Sequence, residues 1–398
     1  MSDFHMNRVP TFPLLGESSV AMLEKRLATV VRRRPVGIVI PALFSDLASP
    51  AMEGIIAELR RMKFVRRVYL SLDRASADEY REAAQIVAPL GRRAALLWND
   101  APAVQEVVAR IEQRLTLGTR GKGRAIWLAL GYVIAQAEVS VVAFHDADIV
   151  TYDRQFMLRL VYLLARQRYQ FVKGYYARHA GRLYGRVVRL FYFPFIRALK
   201  EIIGQDDFLD YMGDFRYPLS GEFATFVSLA REMRFPADWG IEVGVLSEMY
   251  RLVRAPRLCQ VELVPRYDHK HRDMGASPEE GLQRMATEIA RTLFTNLASR
   301  GHVLSDEFFA TLRLTYLNRA REFVDAYENL SELQGGLTFD LHEEVTTIES
   351  FANAIDAAHA DFRAHAFGSP MIPDWHRVEV ALDGVGDDLR RAFESRGR

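Results

Sequence analysis

The sequence predicts an α/β protein in which helices flank a mostly parallel sheet, followed by a helical C-terminal region. Between residues 35 and 275, short apolar runs rich in β-branched residues alternate with segments of helical periodicity. Strands separated by helices form βαβ units with right-handed crossovers, so their sheet is parallel. Beyond this part only long helical patterns follow. We therefore divide the chain into an N-terminal helical extension (1–34), an α/β domain (35–275) and a C-terminal helical region (276–398).

Composition and charge exclude several classes of function. The 398 residues include 52 lysines and arginines against 51 aspartates and glutamates, so no net field attracts nucleic acid or a membrane. Cys259 is the single cysteine, which excludes an internal disulfide and a cysteine-cluster zinc site and fits a reducing compartment. No uninterrupted apolar stretch reaches about 18 residues, and residues 1–13 lack a signal-peptide core. We expect a cytoplasmic protein without a nucleic-acid or membrane partner.

The first hundred residues supply three predicted strands. An amphipathic helix over residues 17–34 lies outside the sheet and ends in three arginines, which suit a helix C-terminus. Predicted strands then cover 36–40, 67–72 and 94–98, with helices over 51–62 and 76–88 between them. The first strand runs into Pro41, Ala42 and Leu43, and the second ends at Asp73. These residues therefore lie at the carboxyl ends of strands, where open α/β sheets bind ligands.

A glycine-rich segment, Gly118 to Arg124, precedes a helix predicted over residues 124–137. Glycines, Lys122 and a helix N-terminus can together cradle a phosphate. The spacing matches neither the P-loop nor the dinucleotide-binding fingerprint. The segment lies one helix upstream of a pair of acids, so both features would converge on one diphosphate.

The next predicted strand ends in that pair of acids. Val139 to Phe144 is an apolar, β-branched run typical of a strand buried on both faces, and Asp146 and Asp148 follow it. Side chains two residues apart on an extended backbone point to the same side. Two adjacent carboxylates repel each other and need a cation or a shared proton. A hard divalent ion such as Mg²⁺ or Mn²⁺, which also binds phosphate, is the natural partner, and a solvated acidic turn is the alternative.

A cationic stripe marks the helix predicted over residues 182–203, which follows a helix over 154–166 and a strand that begins near Tyr169. The stripe consists of Arg182, Arg186, Arg189, Arg197 and Lys200. A bend is expected near Pro194. Three interpretations stay open: a solvated stripe, an anion site formed by Arg182 and Arg186 at the helix start, or a membrane-surface face.

A histidine pair follows the last predicted strand, 260–264. His269 and His271 share the spacing of the acid pair, so either could reach a metal, and a solvated pair is the alternative. A capping box at residues 277–280 then begins the C-terminal region, which contains no catalytic-looking cluster. We expect this region to pack against the sheet domain and to assemble a homodimer.

Taken in order, these motifs resemble those of the nucleotide-diphospho-sugar glycosyltransferases of GT-A fold. The chain is most similar to the retaining glucosyl-3-phosphoglycerate synthases and the related mannosylglycerate enzymes, over about residues 36–275. The motifs are Pro41-Ala42-Leu43, Gly121-Lys122-Gly123, Asp146-Ala147-Asp148, Lys173-Gly174-Tyr175-Tyr176, Gly185-Arg186-Val187, Pro218-Leu219-Ser220-Gly221-Glu222, Trp239-Gly240-Ile241-Glu242 and His271-Arg272. The chain departs from the family pattern at Ser45, Val188, Ser220 and Asp273.

The resemblance and the strand-end positions together assign a role to each motif. Donor contacts are expected from Pro41, Ala42, Leu43, Asp46, Asp73, Lys122, Asp146, Ala147, Ser220 and Gly221. Acceptor contacts are expected from Lys173, Tyr175, Arg182, Gly185, Arg186, Trp239 and Arg272. The resemblance implies Mg²⁺ or Mn²⁺ bound by Asp148 and His271, with Asp146 and His269 as further candidates. The expected catalytic residues are Glu242, which orients the sugar or acceptor, Glu222, which holds hydroxyl groups of the donor sugar, and Asp148.

The reaction implied is transfer of a hexose from a nucleoside-diphosphate sugar, with UDP-glucose favoured, to 3-phosphoglycerate with retention of configuration. GDP-mannose as the donor and glycerate as the acceptor stay open. Two other classes also remain: a polyprenyl-phosphate glycosyltransferase and a non-catalytic nucleotide-sugar binder. The sequence shows no obvious carboxylate nucleophile, which favours attack by the acceptor on the face that the leaving group vacates.

Overall fold

A computed structural model describes residues 7–16, 19–166, 168–268, 281–365 and 371–395. An eight-stranded sheet forms its centre. The described residues form ten strands, eight in this sheet and two in a separate pair. They are β1 (Thr11–Phe12), β2 (Val36–Leu43), β3 (Val65–Asp73), β4 (Ala94–Trp98), β5 (Val141–Phe144), β6 (Phe171–Tyr175), β7 (Phe223–Phe226), β8 (Phe235–Pro236), β9 (Leu258–Glu262) and β10 (Met371–Ile372). The strand order in the main sheet is β1-β9-β6-β7-β5-β2-β3-β4, and β8 pairs separately with β10.

The main sheet is mostly parallel, as predicted. Strand β7 runs antiparallel to both of its neighbours, β5 and β6, while the other neighbouring strands of this sheet pair in parallel. The carboxyl ends of β2, β3, β5 and β6 therefore meet at one edge. This edge brings together the segments that follow the strands and that the sequence analysis singled out.

Helices cover both faces of the sheet. Their bounds are α1 (Val20–Val30), α2 (Phe44–Leu47), α3 (Pro50–Arg61), α4 (Ala77–Val87), α5 (Pro102–Glu112), α6 (Lys122–Gln136), α7 (Arg154–Ala165), α8 (Phe193–Ile203), α9 (Asp207–Gly213), α10 (Val227–Ala230), α11 (Ile241–Leu252), α12 (Gly281–Ser299), α13 (Asp306–Gln334), α14 (Leu341–Ala364), α15 (Trp375–Ala381) and α16 (Val385–Glu394). Two 3₁₀ segments (Ala88–Arg93 and Ala255–Arg257) and one π-helical segment (Val187–Tyr192) join them.

Strand β5 shows how the sheet separates two apolar layers. Val141 and Ala143 pack in a layer with helices α1, α3, α4 and α7. Val142 and Phe144 point the other way, into a layer with α5, α6, α8, α11 and the C-terminal helices. All four side chains are almost fully buried. The prediction of a strand buried on both faces is thus confirmed, and the strand is held firmly up to the acid pair.

The helix predicted over residues 182–203 begins later than expected. The π-helical segment starts at Val187, directly after the helical N-cap residue Arg186, and continues into α8, while residues 182–185 lie outside the helix. Gly185 has a φ of +75°, in the left-handed region, which interrupts a right-handed helix at this point. Pro194 lacks the N–H of an α-helical turn, and the wide π segment lies directly before it. Arg182 therefore lies in a loop rather than on a helix.

Strand β1 and helix α5 are among the elements of the N-terminal half that were not predicted. Strand β1 adds two residues to the sheet beside β9, through Thr11 and Phe12, and so short a strand has no sequence pattern. Helix α5 does have one, because its buried residues Val104, Val107, Val108 and Ile111 recur at helical spacing. The sequence analysis did not use that signal.

The C-terminal region packs onto the sheet domain. Strand β10 pairs antiparallel with β8. The rings of Trp127 in α6 and Trp375 in α15 stack with centroids 4.4 Å apart. Each indole also donates a hydrogen bond of 2.8 Å, Trp127 Nε1 to the Pro373 carbonyl and Trp375 Nε1 to the Trp127 carbonyl. This double contact fixes the end of the chain against the helix that follows the glycine-rich segment.

We expect Trp375→Ala to lower the free energy of unfolding by about 3–5 kcal/mol, because it removes a large side chain that is 1% exposed and leaves a cavity. Chemical denaturation followed by circular dichroism measures this loss. Val380→Ala, on the same helix but 74% exposed, is the matched control and should change stability by less than about 0.5 kcal/mol. A similar small loss for both variants would contradict the role given to the tryptophan pair.

Candidate active site

One cavity of about 520 Å³ lies at the carboxyl edge of the sheet. It gathers most of the residues that the sequence analysis assigned to donor, acceptor and catalytic roles. Those in its wall are Pro41, Ala42, Leu43, Asp46, Asp73, Lys122, Asp146, Ala147, Asp148, Arg182, Gly185, Arg186, Trp239 and Glu242. These residues lie up to about 200 positions apart in the chain, so the predicted motifs converge on one site.

The cavity wall also contains residues that were not predicted. Helix α12 contributes Leu282, Met285 and Ile289, and Glu343 comes from the first turn of α14. The C-terminal region, in which the sequence showed no catalytic-looking cluster, thus closes one side of the site. Its contribution is mostly apolar and is spaced as an ordinary buried helix face, which is why pattern analysis assigned it to packing.

Lys122 lies between two carboxylates at the centre of the site. Its Nζ is 2.8 Å from Asp146 Oδ1 and 2.9 Å from Glu242 Oε1. Burial opposes the charged form of the lysine, but the carboxylates of Asp146 and Glu242 outweigh it and raise the pKa of Lys122 above its usual value. The ammonium group is therefore permanently charged, and it sits where a diphosphate beside the acid pair would lie.

The glycines on either side of Lys122 are required by packing. A Cβ at Gly123 would lie 1.9 Å from the Pro236 carbonyl oxygen, and a Cβ at Gly121 would lie 2.5 Å from that of Ala237. Only glycine allows the backbone of the loop to approach residues 236–237 so closely. This approach sets the start of α6 and so the position of Lys122, a structural role beside the predicted phosphate cradle.

Asp148 lines the cavity beside Asp146, as the strand geometry predicted. His145, which directly precedes Asp146, is fully buried, and burial lowers its pKa to about 4. The neutral ring contacts the Asp146 carbonyl oxygen through Nδ1 at 2.8 Å and the Tyr152 hydroxyl through Nε2 at 3.3 Å. Because a carbonyl only accepts, Nδ1 carries the proton. These contacts fix the backbone of the turn that presents the acid pair.

The acid pair fits a divalent ion. Carboxylate oxygens are the ligands that Mg²⁺ and Mn²⁺ prefer, and Asp146 and Asp148 present them in the same cavity. A Cβ at Gly221 would lie 2.7 Å from Asp146 Oδ1, so only glycine lets this loop approach that carboxylate so closely. Within the described ranges no three histidine, cysteine, aspartate or glutamate side chains cluster as a complete ligand set. The predicted ligands His269 and His271, and the predicted acceptor residue Arg272, lie outside the described residues.

The donor side of the cavity is built on the ends of β2 and β3. Asp46, at the start of α2, accepts a hydrogen bond of 3.1 Å from the Leu43 amide through Oδ2. Asp73 Oδ1 lies 2.8 Å from Arg120 Nη2, which is also 2.6 Å from Asp100 Oδ1. The glycine-rich segment is thereby tied to the end of β3. Asp73 is largely committed to this ion pair, so its first role is to position Arg120 in the cavity wall.

Besides Gly221, four predicted residues that the structure describes do not line the cavity. Lys173 is buried, donates to the Ser220 carbonyl, and has a pKa that burial lowers to about 8. Ser220 Oγ donates to the Gly174 carbonyl at 2.6 Å, which joins the two segments. Tyr175 also faces away, and its neighbour Tyr176 lines the cavity, because successive side chains of an extended backbone point to opposite faces.

Glu222 is the fourth of these residues. It is fully buried, and its two oxygens accept hydrogen bonds of 2.9 Å from the hydroxyl groups of Tyr176 and Tyr267. Burial and the nearby Asp146 carboxylate raise the pKa of Glu222 to about 7. The expected contact with hydroxyl groups of a donor sugar is therefore not available in this arrangement. The two tyrosine rings stack with centroids 3.7 Å apart, and of these three residues only Tyr176 lines the cavity.

Part of the cavity wall is cationic. Arg178, Arg182 and Arg186 line it. Arg178 donates to the Tyr217 hydroxyl at 3.2 Å through Nη1, while its buried Nε has no hydrogen-bond partner among the described residues. The anion site predicted for Arg182 and Arg186 thus faces the cavity, with Arg178 added to it. No role was predicted for Arg178 from the sequence.

The other members of the cationic stripe are also paired with acids; Arg189 is buried, whereas Arg197 and Lys200 are 56% and 43% exposed, so the solvated interpretation is wrong for Arg189 only. Arg189, almost fully buried, forms a bidentate ion pair with Glu344, with Nη2 2.8 Å from Oε1. Arg197 lies 3.6 Å from Glu322, and Lys200 lies 2.5 Å from Asp210. The pairing acids come mainly from α13 and α14, more than 100 residues downstream. The stripe therefore contacts the C-terminal region.

Comparison with known proteins places the chain in a family. No protein-family model matches it. The glucosyl-3-phosphoglycerate synthase of Persephonella marina is 41% identical over 398 residues, covering 99% of this chain and 98% of that protein. The glucosyl-3-phosphoglycerate synthase of Methanococcoides burtonii is 32% identical over 382 residues, covering 94% of this chain and 92% of that protein. Both alignments extend through the C-terminal helical region as well as the sheet domain.

Solved structures show the same fold. The glucosyl-3-phosphoglycerate synthase of Mycobacterium tuberculosis, in complex with Mn²⁺, UDP-glucose and phosphoglyceric acid, aligns with a TM-score of 0.54 at 22% identity, covering 73% of this chain and 88% of that chain. A structure of the same enzyme with Mg²⁺ and UDP aligns with a TM-score of 0.52. Of the helices that the structure describes, none is long and apolar enough to cross a membrane. By its sequence relatives and its fold, the chain belongs to the glucosyl-3-phosphoglycerate synthase family of GT-A glycosyltransferases.

Proposed function

We propose that this protein transfers glucose from UDP-glucose to 3-phosphoglycerate with retention of configuration, in a reaction that depends on Mg²⁺ or Mn²⁺. One observation carries the proposal. A single cavity contains the acid pair and Lys122 together with three arginines, Arg178, Arg182 and Arg186. The acid pair with Lys122 suits a metal-bound diphosphate, and the arginines suit an acceptor with negative charge. The identity to the Persephonella marina synthase, over 99% of this chain, supports the choice of substrates.

The acid pair and Lys122 stabilise the leaving group. Asp148, with Asp146 and His271 as further expected ligands, would hold the divalent ion, which when bound supplies Lewis-acid stabilisation of charge on the diphosphate. Lys122 adds a fixed positive charge at the same place, held by Asp146 and Glu242. A preorganised charge of this kind acts where negative charge develops in the transition state.

The carboxylates of Glu242 and Glu222 both form hydrogen bonds with other side chains, and neither is an evident nucleophile. Glu242 accepts from Lys122 and faces the cavity, so it can orient the sugar or the acceptor. Glu222 is enclosed by Tyr176 and Tyr267. These positions support attack by the acceptor hydroxyl on the face that the leaving diphosphate vacates, with the departing phosphate oxygen accepting the proton. Departure of the diphosphate gives the sugar the oxocarbenium character typical of glycosyl transfer.

A panel of donors and acceptors tests the proposal. Release of nucleoside diphosphate is measured with UDP-glucose and GDP-mannose as donors, 3-phosphoglycerate and glycerate as acceptors, and Mg²⁺ or EDTA in each reaction. We expect rapid release only with UDP-glucose, 3-phosphoglycerate and Mg²⁺ together. Higher activity with GDP-mannose or with glycerate would replace the proposed substrates. Thermal stabilisation by UDP-glucose without release for any acceptor would indicate a non-catalytic binder.

A polyprenyl-phosphate glycosyltransferase is disfavoured by the helix that suggested it. The apolar side chains of the segment from Val187 to Ile203 pack against α13 and α14, and its basic residues are paired with acids. The predicted homodimer, the absence of a nucleic-acid partner and the cytoplasmic location stay predictions. Light scattering on the purified protein measures the first of them.

A further inference from the structure

A carboxylate from the C-terminal region occupies the arginine-lined part of the cavity. Glu343 Oε2 lies 2.6 Å from Arg182 Nη2, and its Oε1 forms an ion pair with Arg186 Nη2. All three side chains line the cavity. Glu343 thus holds the donors on which an acceptor anion would depend.

Contacts at the start of α14 hold the Glu343 carboxylate close to the arginines. Asp340 caps α14 and accepts a hydrogen bond of 3.0 Å from the Glu343 amide. Just upstream, the Thr338 amide donates to the Gly181 carbonyl at 2.8 Å, which docks this segment on the loop that contains Arg182. The first turn of α14 is therefore held against the cavity whether or not the Glu343 side chain stays in place.

The neighbouring acid, Glu344, has a different environment. Its side chain is 4% exposed and pairs through both oxygens with Arg189, which is 7% exposed. Its Oε1 also lies 3.3 Å from Arg186 Nε. Removing one partner of a buried pair leaves an uncompensated buried charge, so Glu344 cannot leave Arg189 without a large loss of stability. Glu344 is the anchor between α14 and the sheet domain.

Glu343 is exposed enough to be displaced. Its side chain is 38% exposed and that of Arg182 is 37% exposed. The Glu343–Arg182 ion pair, with this degree of exposure, contributes little to stability because water and salt screen it, while Arg186, the second partner, is 15% exposed. Three guanidinium groups, those of Arg178, Arg182 and Arg186, line this part of the cavity, and Glu343 pairs with only two of them. A phosphate dianion, with more charge and more acceptor oxygens, matches the three arginines better.

We propose that Glu343 is a displaceable internal anion, which occupies Arg182 and Arg186 in the absence of acceptor and competes with the phosphorylated acceptor for them. The inference rests on the proposed function, because it takes the arginine-lined part as the acceptor site. Glu343 then lowers the apparent affinity for the acceptor by the fraction of time it holds the arginines. Because Glu343 already pairs with Arg182 and Arg186, an anion of low charge gains little binding free energy by replacing it.

The test compares Glu343→Gln with Glu344→Gln, two substitutions of the same chemistry at adjacent positions. For Glu343→Gln we expect the Kd for inorganic phosphate and the KM for 3-phosphoglycerate to fall on the order of two- to tenfold, with the KM for UDP-glucose unchanged. For Glu344→Gln we expect a lower Tm and no fall in either constant. Calorimetric titration of the full chain with phosphate and steady-state kinetics give these values.

The outcomes separate this inference from the proposed function. An unchanged or increased Kd for phosphate in Glu343→Gln, with Tm retained, overturns the competition. A decreased Kd supports it even if the wild-type protein does not use 3-phosphoglycerate, because the phosphate titration requires no turnover. Failure of the wild-type protein to release UDP with 3-phosphoglycerate overturns the proposed function instead.

Discussion

Replacing Asp148 by asparagine is expected to lower kcat for UDP release by roughly 10³-fold or more while leaving the fold intact. Asparagine has nearly the same shape but no charge, so the site loses a ligand for a hard cation without losing volume. Asp148 lies in the cavity wall and follows a strand whose residues are buried on both faces. The loss should therefore concern metal binding and leave packing unchanged. Steady-state kinetics over a range of Mg²⁺ and Mn²⁺ concentrations measure it.

Asp238→Asn provides the matched control for this variant. Asp238 lines the same cavity but pairs with Arg291 and accepts a hydrogen bond of 2.9 Å from the Gly240 amide. The control should retain the wild-type concentration of metal for half-maximal rate, although its Tm is expected to fall. A near-normal rate for Asp148→Asn at saturating metal would contradict the assignment of Asp148 as the metal ligand.

The features that sequence analysis predicted are those encoded locally. The paired acids and Leu43 lie at the carboxyl ends of parallel strands, which meet at one edge, and the glycine–lysine segment begins α6, the helix that leads into the strand with the acid pair. Pattern alone therefore placed Asp146, Asp148, Lys122 and Leu43 in one cavity. The resemblance to GT-A glycosyltransferases rested on these same motifs, and relatives covering nearly the whole chain confirm it.

The features that sequence analysis missed depend on contacts between distant segments. The interpretation of the cationic stripe was ambiguous because acids that pair with it, such as Glu344 and Glu322, lie more than 100 residues further along the chain. Glu222 was expected at the donor sugar, but two tyrosines from separate segments enclose it. In both cases the residue type suggested a function, but the sequence did not reveal the contacting residue, because its position depends on tertiary packing.

Lys122→Met is expected to lower kcat by about 10²–10³-fold, because it removes a fixed positive charge from the position where the leaving diphosphate develops negative charge. Methionine retains much of the length and apolar character of the side chain. The substitution also leaves the carboxylates of Asp146 and Glu242 facing one another, and both are only partly exposed. We therefore expect the free energy of unfolding to fall by about 3 kcal/mol at neutral pH.

Two further variants distinguish the effect of Lys122→Met on catalysis from its effect on stability. Lys122→Arg keeps the charge between Asp146 and Glu242, so it should restore stability and part of the rate. Adding Glu242→Gln to Lys122→Met removes one of the opposed carboxylates, so it should restore stability without restoring the rate. Denaturation curves and single-turnover kinetics measure the two effects separately. If Lys122→Met retained more than about a tenth of the wild-type rate, the lysine would be a structural neutraliser of the two acids and not a stabiliser of the leaving group.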